Sequence, residues 1–520
     1  MKKYILILCA ALFAVSCSKD EELEKEDLNN VVVNGSLSDQ ISDESRSKVT
    51  RLTINGTISG EDWNILFEMA TMGSLEVLDM TNAKIVGKAD SDWWNDDEIP
   101  EYEFSHSKTL KEVYLPTTLK IIGEEAFAEC SKLTQIHFPE GLDSIAPRAF
   151  YKSGLSGELS IPTKLRVIGK QAFGWTKLNK VVINSDVLAA EDGTMYTIGG
   201  NSVFAYCTDL TELTVKEGCS MLEVGFESCS SLTTVSLPST LRQIGHKSGS
   251  THNYIFNRCK SLESINLPEN IWFIGYNAFA NTSIHKIVVP NNVQYLWKYA
   301  FHKCTSLEEV AMPKQLRQIG QACFEGCTSL GEIEIPDKVT NVDYKAFADC
   351  TSLKTVKFGN SIKTIGRNAF SGCIMLQSAV MPSSLTTLRE SAFEGCSNLV
   401  NVSLPDYLEE IESSTFKDCI ELTDLYIGKS VLKVGSSAFY HCLKIEAMNL
   451  PSSISRIESY AFAYTGLNKV IVSWPNPLPI GSNIFDGINL SKSKLIVPTG
   501  SKNLYLQSST WKDFGQISEQ

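Results

Sequence analysis

Apolar side chains recur along most of this chain with a period close to 23 residues. Phenylalanine marks the period most clearly, because its successive steps are mostly 22 or 23 residues, with two longer steps after Phe173 and Phe226. Seventeen phenylalanines follow this spacing: Phe104, Phe127, Phe150, Phe173, Phe204, Phe226, Phe256, Phe279, Phe301, Phe324, Phe347, Phe370, Phe393, Phe416, Phe439, Phe462 and Phe485. Such a period predicts a solenoid built from repeats that cannot bury their apolar edges alone.

Within each repeat, the order of apolar and polar residues predicts two short strands. In the repeat 350–372, the segment 353–358 alternates in part between apolar and polar residues and is too short for a helix. A turn follows at Gly359, and in most other repeats this turn begins with proline, which cannot donate a ladder hydrogen bond. A second extended segment containing Ile365 and a tight turn at Phe370 complete the repeat.

The repeat unit carries a family resemblance. Its pattern, Cys-x-Ser-Leu-x-x-Val-x-x-Pro-x-x-Leu-x-x-Ile-Gly-x-x-Ala-Phe, resembles the BspA-like leucine-rich repeat of bacterial surface proteins, over about residues 104–497. We therefore predict a β-rich leucine-rich-repeat solenoid of parallel strands, stacked in about seventeen coils of 22–23 residues. Residues 31–103 resemble an N-terminal cap with the first strands, and residues 498–520 resemble a C-terminal cap, which terminal coils need to cover their open edges.

The first residues predict export. Two lysines precede a short apolar stretch, 4–15, that ends in small residues before Cys17. This pattern is typical of a secretory signal peptide over residues 1–16. The residues before Cys17 also resemble the lipobox of bacterial lipoproteins, with Ala14 where leucine is commonest, and the resemblance implies acylation of Cys17. A plain secretory cut beside an unmodified cysteine is the alternative.

The segment that follows predicts an exposed tether. Residues 17–30 hold the expected lipid anchor and a mostly acidic run that cannot bury enough apolar area to fold. Within it, 19–21 resembles the acidic export signal of some Gram-negative lipoproteins. We therefore expect a protein anchored in the bacterial outer membrane and facing outward. No later apolar run is long enough to span a bilayer, so the expected membrane contact is through the N-terminal lipid only.

The charge of the chain excludes some partners. The formal net charge is −13 at pH 7. An acidic balance argues against binding nucleic acid and against binding an anionic membrane through a basic patch.

Cysteines follow the same period as the phenylalanines. Seven of the fifteen cysteines, from Cys304 to Cys442, lie 23 residues apart. Side chains stacked in parallel at one coil position do not have the geometry of a disulfide. Other repeats carry Ser107, Thr176 or Thr282 at this position, an exchange that neither a disulfide nor a metal site tolerates. We therefore predict a buried row of free thiols and hydroxyls, with no metal and no cofactor.

Sequence motifs of catalysis are missing. The chain has no Gly-x-Ser-x-Gly elbow, no phosphate loop and no His-Glu-x-x-His, and its seven histidines occupy different coil positions. His246 and His252 share one insertion, which we interpret as a polar loop tip in preference to a metal site. We predict that the protein is not an enzyme.

Two concentrations of aromatic residues are candidate binding sites. Trp93 and Trp94 lie in an acidic stretch before the first regular repeat, where they either plug the first coil or stack on a ligand such as a sugar ring. The second concentration lies on the second segment of two adjacent repeats and comprises Trp272, Phe273, Tyr276, Tyr295, Trp297 and Tyr299. Clustered aromatic residues are over-represented in binding patches, although core packing is an alternative for some of these rings.

The outward position of the first strand carries no single type of side chain. From repeat to repeat it is Tyr114, His137, Ser160, Val182, Thr214, Ser236, Asn266, Val288, Ala311, Glu334, Lys357, Val380, Ser403, Tyr426, Asn449 and Ile471. This mixture argues against a repetitive polymer along the strand face, and for a heterogeneous partner or none.

The family resemblance implies a function in binding. It implies a non-catalytic surface adhesin, and we expect a monomer whose partner is an extracellular protein of a host or neighbouring cell. Two alternatives stay open: a glycan-binding accessory protein of a surface uptake system, suggested by the aromatic concentrations, and a structural spacer without a ligand.

Overall fold

Two rows of short strands run along the chain and bury a continuous core between them. The structure, a computed structural model, describes residues 30–87, 95–184, 202–245 and 254–520. The predicted signal peptide, Cys17, Trp93, Trp94 and the two histidines of the insertion lie outside the described residues.

The first row is formed by the strand at the start of each repeat. Its strands are Val31–Val33, Arg51–Ile54, Val77–Asp79, Glu112–Tyr114, Gln135–His137, Ser156–Ile161, Lys177–Ile183, Glu212–Val215, Thr234–Ser236, Lys286–Val288, Glu309–Ala311, Glu332–Glu334, Thr355–Lys357, Ser378–Ala379, Asn401–Ser403, Asp424–Tyr426, Ala447–Leu450, Lys469–Val472, Lys494–Val497 and Gln516–Glu519. Neighbouring strands pair in parallel, as Thr355↔Ser378 and Val356↔Ala379 show.

The second row follows the turn that ends the first strand. Its strands are Thr57–Ile58, Lys84–Ile85, Glu98–Ile99, Ile121–Ile122, Ser144–Ile145, Val167–Ile168, Met221–Leu222, Gln243–Ile244, Phe273–Ile274, Tyr295–Leu296, Gln318–Ile319, Asn341–Val342, Thr364–Ile365, Thr387–Leu388, Glu410–Ile411, Lys433–Val434 and Arg456–Ile457. The prediction of a parallel-stranded solenoid is confirmed. It has about twenty turns where the phenylalanine count predicts seventeen, because the strands of the caps continue the first row at both ends.

The third side of each coil carries the phenylalanine. The ring of Phe370 lies between those of Phe347 and Phe393, with both centroid separations at 5.3 Å and planes within 7° of parallel. The Phe370 N–H donates to the carbonyl of Ala392 in the next coil at 2.8 Å. On either side of the ring the chain turns through positive φ, at Asn368 and Gly372. These two turns point the phenyl ring into the core, where it is fully buried.

Helices lie at the two ends of the solenoid. The α-helices are Leu37–Gln40, Asp43–Arg46, Gly60–Thr71 and Lys502–Gln507, and the 3-10 helices are Ser482–Phe485, Leu490–Lys492 and Trp511–Asp513. The longest helix packs Trp63 edge-on against Phe104, the first ring of the stack, at 6.4 Å. At the other end, Trp511 packs edge-on against Phe485, the last ring of the stack, at 5.8 Å. Both terminal rings are therefore covered.

The row of thiols is confirmed. All thirteen cysteines of the described residues are buried and free. At the repeating position, each thiol lies close to the carbonyl oxygen of the phenylalanine in the preceding coil, as in Cys130 Sγ to Phe104 O at 2.9 Å and Cys350 Sγ to Phe324 O at 3.2 Å. The threonine that replaces cysteine at 282 donates instead to the carbonyl of its own coil, from Thr282 Oγ1 to Phe279 O at 2.9 Å. The three side chains share a small size and one hydrogen that can be donated, which explains the exchange of Cys, Ser and Thr in this buried space.

Native protein is expected to resist alkylation at every described cysteine. Burial raises the pKa of Cys130 to about 12 and that of Cys304 to about 11. Near neutral pH both groups therefore stay protonated, while alkylation requires an exposed thiolate. Iodoacetamide labelling at pH 7.5 followed by mass spectrometry should find none of the thirteen labelled in folded protein and all of them after unfolding without reductant. Disulfides among these cysteines would contradict the structure.

Candidate functional site

The coil geometry divides the predicted aromatic cluster between three positions. Trp272 precedes the second-row strand and points away from the core, Phe273 and Tyr295 pair in the strand ladder, and Trp297, Tyr276 and Tyr299 follow the strand. Only parts of the cluster are therefore in contact with one another.

Phe273 does not contact solvent. It occupies the outward position of its strand, because Ile274 beside it points into the core, yet its side chain is fully buried. The rings of Trp272 and Trp297 lie over it, with centroids at 5.5 and 5.9 Å. Phe273 is therefore a packing residue, and the prediction that it belongs to a ligand-binding site is wrong because its ring cannot be reached from solvent. Tyr295, its neighbour in the ladder, is half-buried.

Tyr276 and Tyr299 form an edge-to-face pair on the third side of the solenoid, with centroids 5.5 Å apart. The Nε2 of Gln321 donates to Tyr299 Oη at 3.2 Å, and the ring of His302 lies 5.4 Å from that of Tyr299. Burial is the main cause that raises the pKa of Tyr299 above its ordinary value. Both tyrosines are half-buried, and neither is among the residues that line the two clefts described next.

Trp272 instead lines a cleft. The cleft has a volume of about 520 Å³ and crosses three adjacent coils at the corner before the second-row strands. Besides Trp272, its lining side chains are Arg242, Gln294, Asn270 and Asn292, with two hydroxyl residues at one end. Backbone hydrogen bonds place Arg242, Trp272 and Gln294 at one coil position, since Trp272 N–H donates to Arg242 O at 2.9 Å and Gln294 N–H to Trp272 O at 3.1 Å.

A second cleft lies on the face of the first strand row. It measures about 820 Å³ and opens where the row is interrupted, between the strands Asp424–Tyr426 and Ala447–Leu450, which belong to separate sheets. Tyr426 lines it and is 45% exposed. Its Oη donates to Asp406 Oδ1 at 2.8 Å, which raises the pKa of the tyrosine. The backbone N–H of Lys429 and this hydroxyl lower the pKa of Asp406. The phenol is therefore held in place while its ring stays accessible.

Exposed apolar side chains also lie next to this second cleft and on the coils before it. We define the strand-face patch as Ile374, Met375, Val380, Val400, Tyr426 and Leu443. Val380 is 76% exposed and shares the outward strand position of Tyr426, two coils away. The outward positions of Val380 and Tyr426 were predicted from the sequence, whereas the exposure of the other four residues was not. A signal was present, because isoleucine or leucine follows the repeating cysteine at 374, 420 and 443, where most other repeats have serine or threonine.

One outward residue of the first row is buried instead of exposed. Val182 is only 6% exposed. The side chain of Asn184 crosses the outer face to Ser160, the ladder neighbour of Val182, and donates to its Oγ at 2.8 Å. The crossing amide helps to cover the valine, which the alternation of strand residues could not predict.

Three further features bear on other kinds of function: a buried carboxyl group, possible metal ligands and possible membrane-spanning helices. Burial raises the pKa of Glu223 to about 7, and Gln243 Nε2 donates to its Oε1 at 3.2 Å. In the described part of the chain, no group of three or more His, Cys, Asp or Glu side chains could hold a metal ion. None of the helices within those same ranges has the length and apolar character needed to cross a bilayer.

Comparisons with known proteins agree with the fold. A family profile, BspA type Leucine rich repeat region, matches residues 97–197, 193–250, 249–354, 319–446 and 386–508. A leucine-rich repeat protein from Bacteroides ovatus is 27% identical with a TM-score of 0.52, over 69% of this chain and 84% of that one. A leucine rich cell surface protein from Faecalibacterium prausnitzii is 20% identical with a TM-score of 0.34, over 71% of this chain and 85% of that one. No curated protein matches this chain by sequence.

Proposed function

This chain belongs to the family of BspA-type leucine-rich repeat proteins, and from that premise we propose that it is a non-catalytic surface protein that binds another protein. The observation that carries the proposal is the strand-face patch around the cleft at Tyr426. We propose further that lipid on Cys17 anchors the chain in the outer membrane with the solenoid facing outward, which the signal-like residues before Cys17 support.

The composition of the strand-face patch suits a protein partner. Large contiguous patches of exposed apolar side chains commonly mark the binding sites of soluble proteins. Tyr and Met are enriched in the cores of protein interfaces, and charged residues are depleted there. Here Val380, Val400 and Tyr426 are exposed, while Asp424, Lys444 and Glu446 line the cleft beside them. The apolar side chains can supply the buried contact area of an interface, and the charged groups can determine which partner it accepts.

The geometry of Tyr426 favours it as the anchor of the interface. Its hydroxyl is already bonded to Asp406, so binding a partner orders few new torsions of this side chain. Rigid aromatic residues near the centre of an interface commonly cost 2 kcal/mol or more when truncated to alanine, about a 30-fold loss of affinity. Val380, two coils away, extends the same face.

Loss of Tyr426 is expected to abolish most of the binding. Cells that produce the full chain are incubated with a labelled panel of extracellular-matrix proteins. We expect at least one to bind, Tyr426→Ala to weaken it about 30-fold, and protease shaving of intact cells to remove it. Tyr407→Ala is the matched control, because Tyr407 is 73% exposed but does not line the cleft. Absence of binding to the whole panel, or equal losses for the two variants, would contradict the proposal.

A further inference from the structure

The cleft at Trp272 is separate from the strand-face patch and has a different chemistry. Its lining side chains, apart from Trp272, are polar, whereas valine, leucine and alanine take part in lining the cleft at Tyr426. A volume of about 520 Å³ lies within the range of small-molecule sites. The cleft therefore fits a small polar ligand better than it fits an apolar side chain of a protein.

Hydrogen bonds fix the two asparagine amides that line the cleft. Asn270 Nδ2 donates to the carbonyl of Ser239 at 2.7 Å, and Asn292 Nδ2 donates to the carbonyl of Glu269 at 2.8 Å. Because each amide nitrogen is bonded to a backbone carbonyl, the orientation of each amide is fixed, and its Oδ1 atom can accept a hydrogen bond from a ligand. Arg242 and Gln294 supply donors beside them. A cleft lined by both acceptors and donors suits the hydroxyl groups of a sugar ring, which can donate and accept hydrogen bonds.

Arg242 gives this cleft a positive charge in a chain whose net charge is −13. It is exposed, and among the described residues that line the cleft it is the one charged side chain. At one end of the cleft, Ser239 donates to the carboxylate of Glu217 through both its N–H at 2.9 Å and its Oγ at 3.0 Å, but Glu217 itself is not among the lining residues. A carboxylate on the ligand would therefore pair with Arg242, whose planar guanidinium can bind both carboxylate oxygens.

Phe273 explains how Trp272 is held. The buried Phe273 ring lies against Trp272 at 5.5 Å and against Trp297 at 5.9 Å, outside the continuous core of the solenoid. Its ring is packed closely over Gly275, where a Cβ atom would lie 3.3 Å from Phe273 Cε1. Phe273 and Trp297 are thus positioning residues, and Trp272 is the ring that lines the cleft.

We propose that this cleft binds a saccharide that contains a uronic acid. The apolar face of a pyranose would stack on Trp272, its hydroxyls would pair with Asn270, Asn292 and Gln294, and its carboxylate would pair with Arg242. The site takes a free sugar end or a chain segment of two to three residues, which corresponds to the three coils that it crosses.

Titration calorimetry with the full mature chain tests the site. The probes are oligogalacturonate and a glucuronate-containing oligosaccharide, each compared with its methyl ester, which keeps the sugar but removes the charge. We expect at least one acid to bind and its ester to bind about tenfold more weakly. R242Q should lower affinity for the acid about tenfold and leave the ester unchanged, and W272A should weaken both.

Arg317 provides the matched control for Arg242. It occupies the same coil position in the repeat after Gln294, since Arg317 N–H donates to Gln294 O at 2.9 Å, but it does not line the cleft. R317Q should therefore leave both affinities unchanged. Equal losses for R242Q and R317Q, equal affinity for acid and ester, or no binding of either acid would overturn the proposal. If W272A unfolds, the comparison of R242Q with R317Q decides alone, because both arginines are exposed.

Discussion

Replacing Phe370 with alanine is expected to lower the free energy of unfolding by about 3–5 kcal/mol. Its ring is fully buried, lies 5.3 Å from the rings of Phe347 and Phe393, and meets Phe358 edge-on at 5.6 Å. Alanine would leave a cavity that the neighbouring coils cannot close, because their spacing is fixed by the backbone hydrogen bonds on every side. Guanidinium unfolding followed by circular dichroism measures the loss.

The damage from Phe370→Ala should stay near its own coil. Repeats of a solenoid couple mainly to their neighbours, so hydrogen exchange should accelerate in the coils around 347–393 and change little in the coils before Phe204. Tyr407→Ala serves as the control, because this exposed side chain leaves no cavity, and a change within about 0.5 kcal/mol is expected. Comparable losses for the two variants would show that the ring stack does not hold the fold together.

Gly366→Ala is the second substitution with a large expected effect, a loss of about 1–3 kcal/mol or more. A Cβ atom at this position would lie 2.8 Å from Val342 O and from Asp343 C, and 3.0 Å from Tyr344 N. All three atoms belong to the backbone of the preceding coil, so no side chain can turn aside to make room. The backbone around Gly366 would have to shift to make room, which would strain the hydrogen bond from Gly366 N–H to Val342 O, now 2.8 Å.

Gly331→Ala is the matched control for this close approach. A Cβ atom at Gly331 would meet no heavy atom within 4 Å. Here alanine should be neutral or stabilising by about 0.4–1 kcal/mol, because it lowers the entropy of the unfolded chain. Thermal unfolding of the two variants side by side gives the comparison, and a Gly366→Ala protein as stable as Gly331→Ala would contradict the coil spacing.

The period of the chain is visible in the sequence because a solenoid repeats one local environment. Every Phe370-like ring faces the same neighbours one coil away, so the same residue type is needed at each step. The same repetition explains why serine or threonine replaces cysteine in some coils, and this exchange predicts free thiols from the sequence alone. Sequence spacing also placed Trp272 and Phe273 in one aromatic concentration. It could not predict that Phe273 is buried, since alternation along the strand puts Phe273 on the outer face, opposite to the core residue Ile274.

The sequence by itself determined the architecture: the parallel strands and the free thiols follow from a 23-residue spacing and from which residues replace one another. The covered ends were predicted from the resemblance of both ends of the chain to the caps of the family. Tertiary structure alone decided where a ligand could bind. The cleft at Tyr426 arises from an interruption between two sheets, and the cleft at Trp272 arises from side chains 22 and 30 residues apart that stacking brings side by side. Burial of Phe273 likewise depends on rings from its own coil and the next. A repeating pattern shows the residues that all coils have in common, whereas each cleft is lined by residues that differ from one coil to the next.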